Sequence, residues 1–123
     1  MIKYLKNSGV YLANLNPNKG SEIGKKRLVI VLTHQSFLDN DISPIFICPL
    51  STQSYDKNQI LHIKITARDY LQQDSFALPE QCRSISMARL EPTLITSITD
   101  KERQEIFSKL DLLIGFKENI NNF

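Results

Sequence analysis

The chain has 123 residues, the size of one domain spanning residues 1–123. Hydrophobic residues make up 41% and charged residues 23%, a balance that excludes a disordered chain and favours a packed core. The formal net charge of +2 is too small to signal nucleic-acid binding through bulk charge, so any such reading rests on where the cations lie. The opening "MIKYLKNSGVYLANL" lacks the unbroken apolar stretch of a secretory leader, and the longest apolar run, residues 28–32, is far too short to span a bilayer. The expectation is a cytoplasmic protein without a membrane partner. Cys48 and Cys82 have no CxxC neighbour, which argues against zinc, and both fall in predicted strands, where a small buried thiol is ordinary.

In chain order, "GVYLANL" (9–15) predicts a strand, and "NPNKGSEIGKKR" (16–27) a long loop rich in Gly, Asn and cations. "RLVIVLT" (27–33) is a β-branched run that predicts a central strand buried on both faces. A polar segment, "HQSFLDNDIS", leads to "PIFICPL" (44–50), whose two prolines predict a strand near an edge or with a bulge. "ILHIKI" (60–65) alternates, with Leu61, Ile63 and Ile65 inward and His62 and Lys64 outward. "TARDYLQQ" (66–73), with Thr66 as a cap, predicts a short helix. "SFAL" and "EQCRSIS" read as two further strands, and "SMARLEP" as a helical turn that stops before Pro92. Thr99 and Glu102 form a capping-box pattern ahead of an apolar stripe of Ile106, Phe107, Leu110, Leu113 and Ile114, with Gly115 at the stop. Many short strands followed by a closing helix predict an antiparallel, barrel-like α+β domain.

Pairing the second and third strands as antiparallel neighbours, with Thr33 opposite Ile45, sets Val31 opposite Ile47, Val29 opposite Pro49 and Arg27 opposite Ser51. An arginine beside a hydroxyl has a specific use at a phosphodiester. The guanidinium offers planar donors and a permanent charge to a phosphorane, and the hydroxyl adds a further hydrogen bond. Amides near Gly20 and Gly24 would add donors, since glycine lets a backbone approach a phosphate closely. On spacing alone, an arginine at a strand start and a serine at a strand end are more often ordinary surface residues, and Lys19, Lys25 and Lys26 more often simply solvated. A phosphate-binding P-loop is excluded: three residues rather than four separate the glycines, Lys26 stands where Ser or Thr is required, and a strand follows. His34 and His62 both read as solvated surface groups, and no GxSxG elbow surrounds Ser51.

As a set, "NPNKGSEIGKKR" before a hydrophobic strand, "PLSTQ" (49–53), "DSFALPEQCRSISMARL" (74–90) and the amphipathic C-terminal helix resemble the MazF/PemK family of toxin endoribonucleases, over nearly the whole chain. The resemblance implies a compact SH3-like β-barrel with flanking helices, a homodimer, metal-free and sequence-specific cleavage of single-stranded RNA, and inhibition by an antitoxin with an acidic, disordered segment. It implies no cofactor. Carried over by position, the catalytic arginine falls on Arg27 and the catalytic hydroxyl on Ser51. The substrate-binding positions fall on Lys19, Gly20, Ser21, Glu22, Lys25, Lys26, Gln53, Gln81 and Arg83. Three departures bear on substrate sequence and rate: Ser8-Gly9 replaces the family's Gly-Asp, Leu28 replaces the proline after the arginine, and serine replaces threonine at 51. Two alternatives remain open on the same fold: a gyrase-binding toxin of the CcdB type, whose tryptophan-bearing C-terminus is missing here, and an inactive relative that binds RNA or antitoxin only.

Overall fold

A computed structural model describes residues 5–54 and 59–115. Within them the elements are β1 (Gly9–Asn14), β2 (Lys26–Val31), α1 (Gln35–Asp39), β3 (Ile45–Ser51), β4 (Ile63–Ile65), β5 (Ser75–Ala77), β6 (Arg83–Ile85), β7 (Thr96–Ser97) and α2 (Asp100–Leu113). The strands form one curled antiparallel sheet in the order β4-β5-β3-β2-β1-β7, with β6 also beside β3. This is the barrel-like α+β architecture expected from the sequence. The closing "NINNF" lies outside the described residues.

The period-2 pattern of the central strands divides the core into two clusters. Tyr11, Ala13, Val29, Val31, Ile45 and Ile47 face one way, where Leu38 of α1 packs over them. Val10, Ile30, Cys48 and Leu50 face the other way and meet Ile63, Ile65 and Ile106 of α2. Strand β2 is therefore buried on both faces, as its unbroken Val/Ile run requires. The predicted β2–β3 register is present as Val29–Pro49, Ile30–Cys48 and Val31–Ile47.

Several expectations are corrected. Strand β3 is not an edge: β2 runs along one side, and β6 and then β5 along the other. Pro44 precedes the strand. Pro49 falls after the last β6 pair, at Ile47, and before the first β5 pair, at Leu50, where the missing N–H interrupts no ladder on that side. The polar segment after β2 contains α1, whose N-terminus is capped by the exposed His34 ring accepting from Ser36 N–H at 3.1 Å. Residues 66–73 form no helix. They make a tight turn bridged by Arg68 and Leu71, with Asp69 at φ 52°. The Asp74 carboxylate accepts from Ala67 N–H at 2.7 Å, a local side-chain bond that competes with helix formation. That bond holds the Asp74 carboxyl below its ordinary range.

Strand β7, absent from the sequence reading, is two residues long and pairs with β1 through Gly9–Ser97 and Val10–Thr96. In α2 the capping box is complete, with Thr99 N–H donating to Glu102 Oε1 at 2.8 Å and Glu102 N–H to Thr99 Oγ1 at 3.1 Å. Of the predicted stripe, Ile106 is fully buried and Leu110 partly so, while Phe107, Leu113 and Ile114 are exposed. Cys48 is buried in β3, whereas Cys82 is half-buried and precedes β6.

Candidate active site

The β1–β2 loop is stitched by its own polar residues. Asn16 Oδ1 accepts from Lys25 N–H at 2.8 Å, Lys19 N–H donates to Glu22 Oε1 at 3.0 Å, and Asn18 Nδ2 donates to the Glu22 carbonyl at 3.3 Å. Arg89 reaches across to donate to the carbonyls of Asn14 at 3.0 Å and Asn16 at 2.5 Å. Gly24 has no room for a side chain, because a Cβ there would collide with the Asn18 amide. Gly20 turns the tip at φ 59°. The loop is thus an ordered lip, not a solvated coil.

Gln81 fastens that lip to the body of the sheet. Its Oε1 accepts from Ile23 N–H at 3.0 Å, and its Nε2 donates to the Ser21 carbonyl at 3.0 Å. Behind the lip lies a cleft of about 600 Å³, lined by Asn18, Ser21, Glu22, Ile23, Gly24, Lys25, Arg27, His62, Leu78, Glu80 and Gln81. Arg27 donates Nε–H to the Gly24 carbonyl at 2.9 Å, which fixes the plane of its guanidinium. Among the described residues its two terminal nitrogens have no hydrogen-bond partner, so they are available to an anion entering the cleft.

Of the residues singled out in the sequence, Ser21, Glu22, Lys25, Arg27 and Gln81 line this cleft. Lys19, Gly20, Lys26, Ser51, Gln53 and Arg83 do not. Lys26 reaches Glu91 at 3.5 Å on the open surface. Ser51 is buried at the end of β3, and its Oγ accepts from Gln53 N–H at 3.1 Å. Continuing the β2–β3 register two steps past Val29–Pro49 brings Ser51 level with Arg27, but there β3 has turned to pair with β5 through Ser51–Phe76. Arg83 lies opposite Ile47, and its Nη1 is buried without a partner.

The sequence reading missed two titratable residues of the cleft, His62 and Glu80. His62 is not a solvated outward group: its side chain is 2% exposed, with Nδ1 2.6 Å from Ser54 Oγ and Nε2 2.7 Å from Glu80 Oε2. The alternation drawn through residues 60–65 misplaced it, because Gln59–Leu61 is a 3₁₀ turn and β4 starts only at Ile63. Glu80 was read as part of a strand but sits in the 3₁₀ turn Pro79–Gln81. No local signal marks the pair, because the two residues meet only through the fold.

A family model described as PemK-like, MazF-like toxin of type II toxin-antitoxin system matches residues 6–114. Endoribonuclease MazF of Staphylococcus epidermidis is 34% identical over 121 residues, covering 97% of this chain and 95% of that protein. The crystal structure of MazF from Deinococcus radiodurans superposes with a TM-score of 0.75 at 22% identity, covering 91% of this chain and 98% of that one. A MazE–MazF crystal structure from the same organism gives 0.69 at 21% identity, covering 92% and 97%. The chain belongs to the PemK-like, MazF-like toxin family of type II toxin-antitoxin systems. The two structural likenesses add agreement on the fold.

Proposed function

We propose that this chain is the toxin of its system and an endoribonuclease that cleaves single-stranded RNA in the cleft beneath the β1–β2 loop. The observation that carries the reading is the Arg27 guanidinium, held by one nitrogen and open at the other two, on the wall of a cleft in a MazF-like chain. RNA supplies its own nucleophile. The 2′-OH attacks the adjacent phosphorus, the 5′-oxygen leaves, and a 2′,3′-cyclic phosphate or its opened form remains. The protein has to align these atoms, stabilise the phosphorane and move two protons.

Arg27 stabilises the charge that grows on the phosphoryl oxygens. Its guanidinium keeps its proton at any working pH, so it is unsuited to removing the 2′ proton. The carboxylates placed to receive that proton are Glu22 and Glu80, both on the cleft wall. Ser51 Oγ accepts from Gln53 N–H and keeps its own O–H to donate to the scissile phosphate. Lys19, Lys25 and Lys26 draw in the backbone, and splayed bases reach Gln53, Gln81 and Arg83. The antitoxin contributes an acidic, disordered segment that competes for the same cationic lip and folds on contact. Its counterpart among the structural neighbours is the MazE chain of the Deinococcus complex. The working unit is a cytoplasmic homodimer of single-domain chains.

The test is direct. Purified protein is incubated with a long single-stranded RNA transcript in EDTA, and the fragments are end-analysed. Discrete fragments with 2′,3′-cyclic phosphate or opened ends are expected. Intact RNA, whether bound or unbound, overturns the reading.

A further inference from the structure

Ser54 and His62, which form a hydrogen-bonded chain with Glu80, have no place yet in the reaction. A carboxylate oxygen only accepts, so His62 Nε2 carries the hydrogen toward Glu80 Oε2, and Nδ1 of a neutral ring accepts from the Ser54 hydroxyl. Both ring nitrogens are occupied and the side chain is 2% exposed, so the imidazole itself does not touch RNA. What it holds does face the cleft. Glu80 lines the cleft, and its other oxygen, Oε1, is buried with no hydrogen-bond partner among the described residues. A carboxylate serving packing alone would have both oxygens satisfied, because an unpaired buried acceptor is costly. Here one oxygen is clamped and the other is left without a partner, in a residue that shares the cleft wall with Arg27 and Gln81. At its far end, the ring grips Ser54, in the segment that carries Ser51 and Gln53 out of β3.

We propose that His62 is a positioning residue of the cleavage reaction: it fixes the Glu80 carboxylate on the cleft wall and ties it to the segment carrying Ser51, so that the two strips of chain flanking the substrate phosphate keep one geometry. The inference rests on the cleft being the site of cleavage. Without the ring, Glu80 rotates toward other donors and the segment 51–54 loses its anchor. The groups that meet RNA are unchanged, but their placement is not.

The experiment uses the intact protein and a short fluorogenic RNA bearing the cleavage sequence mapped on the transcript above. His62→Ala is expected to lower kcat by roughly tenfold to a hundredfold, the scale of a small misplacement of reacting groups, with KM held within about threefold. His62→Gln, whose amide N–H extends about as far as Nε2, recovers most of the loss. His62→Asn falls short of Glu80 and does not. Because His62 acts in part through Glu80, adding His62→Ala to Glu80→Gln lowers kcat by less than His62→Ala does alone. A merely structural histidine would instead give losses that multiply.

Thermal melts establish folding for every variant. If His62→Ala does not fold, the contrast between His62→Gln and His62→Asn carries the test, and equal kcat in those two overturns the proposal. Wild-type kcat in folded His62→Ala, or multiplying losses in the double variant, also overturns it. Arg27→Ala in the same assay separates the two readings. If it cleaves normally, the cleft assignment fails. If it is inactive while the His62 variants are unimpaired, only the positioning role fails.

Discussion

Arg68 and Arg27 show what a finished polar cluster looks like beside an open one. Arg68 donates to both oxygens of Glu102, at 3.2 and 2.5 Å, and to the carbonyls of Thr66 and Ser97, each at 3.0 Å. Glu102 in turn completes the cap of α2. The cluster ties the turn after β4 to β7 and the last helix, and both terminal nitrogens of Arg68 are engaged in it. Among the described residues Arg27 uses only Nε, and Oε1 of Glu80, a residue of the same cleft wall, is buried without a partner. Full satisfaction is what stability selects. Incomplete satisfaction around a cleft marks groups kept for a substrate.

The sharpest way to break the comparison is to remove each arginine and ask which property falls. Arg27→Ala is expected to lower the rate of RNA cleavage by at least about a hundredfold, the usual order for one donor to a developing oxyanion, with the melting temperature nearly unchanged. Arg68→Ala should do the reverse. It loses about 1–3 kcal/mol of stability in chemical denaturation, because it removes charge-assisted bonds and leaves Glu102 without its cation. Its cleavage rate at low temperature stays near wild type. A stable, fully active Arg27→Ala, or an inactive but stable Arg68→Ala, would show that openness and function do not go together here.

Ser51 gives a finer test. Ser51→Ala removes one neutral hydroxyl, worth roughly 0.5–1.5 kcal/mol, so kcat should fall by about tenfold at most. Ser51→Thr keeps the hydroxyl and restricts its rotamer, and should retain activity. A loss in Ser51→Thr as large as in Ser51→Ala would point to packing at the end of β3, where Ser51 is buried, in place of a hydrogen bond to phosphate. The lip cations act on binding and its salt dependence, in place of kcat. Replacing Lys19, Lys25 and Lys26 by glutamine should reduce the slope of log affinity against log salt by about 2 units for single-stranded RNA. An unchanged slope would remove them from the binding surface.

How much of this was legible in the sequence follows from how local each feature is. The capping box at Thr99 and Glu102, the doubly buried β2 and the β2–β3 register all come from neighbouring residues or from one hydrophobic period, and the structure has them. The family resemblance was equally readable, because it rests on short motifs in order. The failures are of two kinds. Residues 66–73 have helix-compatible composition, but the Asp74–Ala67 bond and the Arg68–Glu102 contact select a turn. Pro49 reads as an edge signal only because the change of partner from β6 to β5 is invisible along the chain. At the cleft, the loop residues and Arg27 were in reach of sequence reasoning. His62 and Glu80 were not, since their meeting depends on a 3₁₀ turn that resets the strand period and on a second one that presents the carboxylate.

The two-arginine comparison has a smaller counterpart in the core, where neutrality rather than pairing satisfies a titratable group. Burial pushes the Cys48 thiol well above its ordinary range, and the neighbouring Cys82 adds to the shift. Burial also raises the Tyr11 phenol, partly offset by the hydrogen bond it accepts from Lys6 N–H. A raised folded pKa on an acid that is neutral at pH 7 means that the fold favours the protonated form. The stabilisation is therefore complete below the unfolded thiol's value of about 8.5, and is lost as pH rises through that value toward the folded one. Melting the wild type at about pH 7 and about pH 10 should show a drop, and Cys48→Ala should show a smaller drop, with Tyr11 retaining its share. The Cys48→Ala variant starts from a lower melting temperature because of the cavity it leaves, so the quantity that decides is the difference between the two pH values within each protein. An equal drop in both would mean that the thiol is not held neutral by the core.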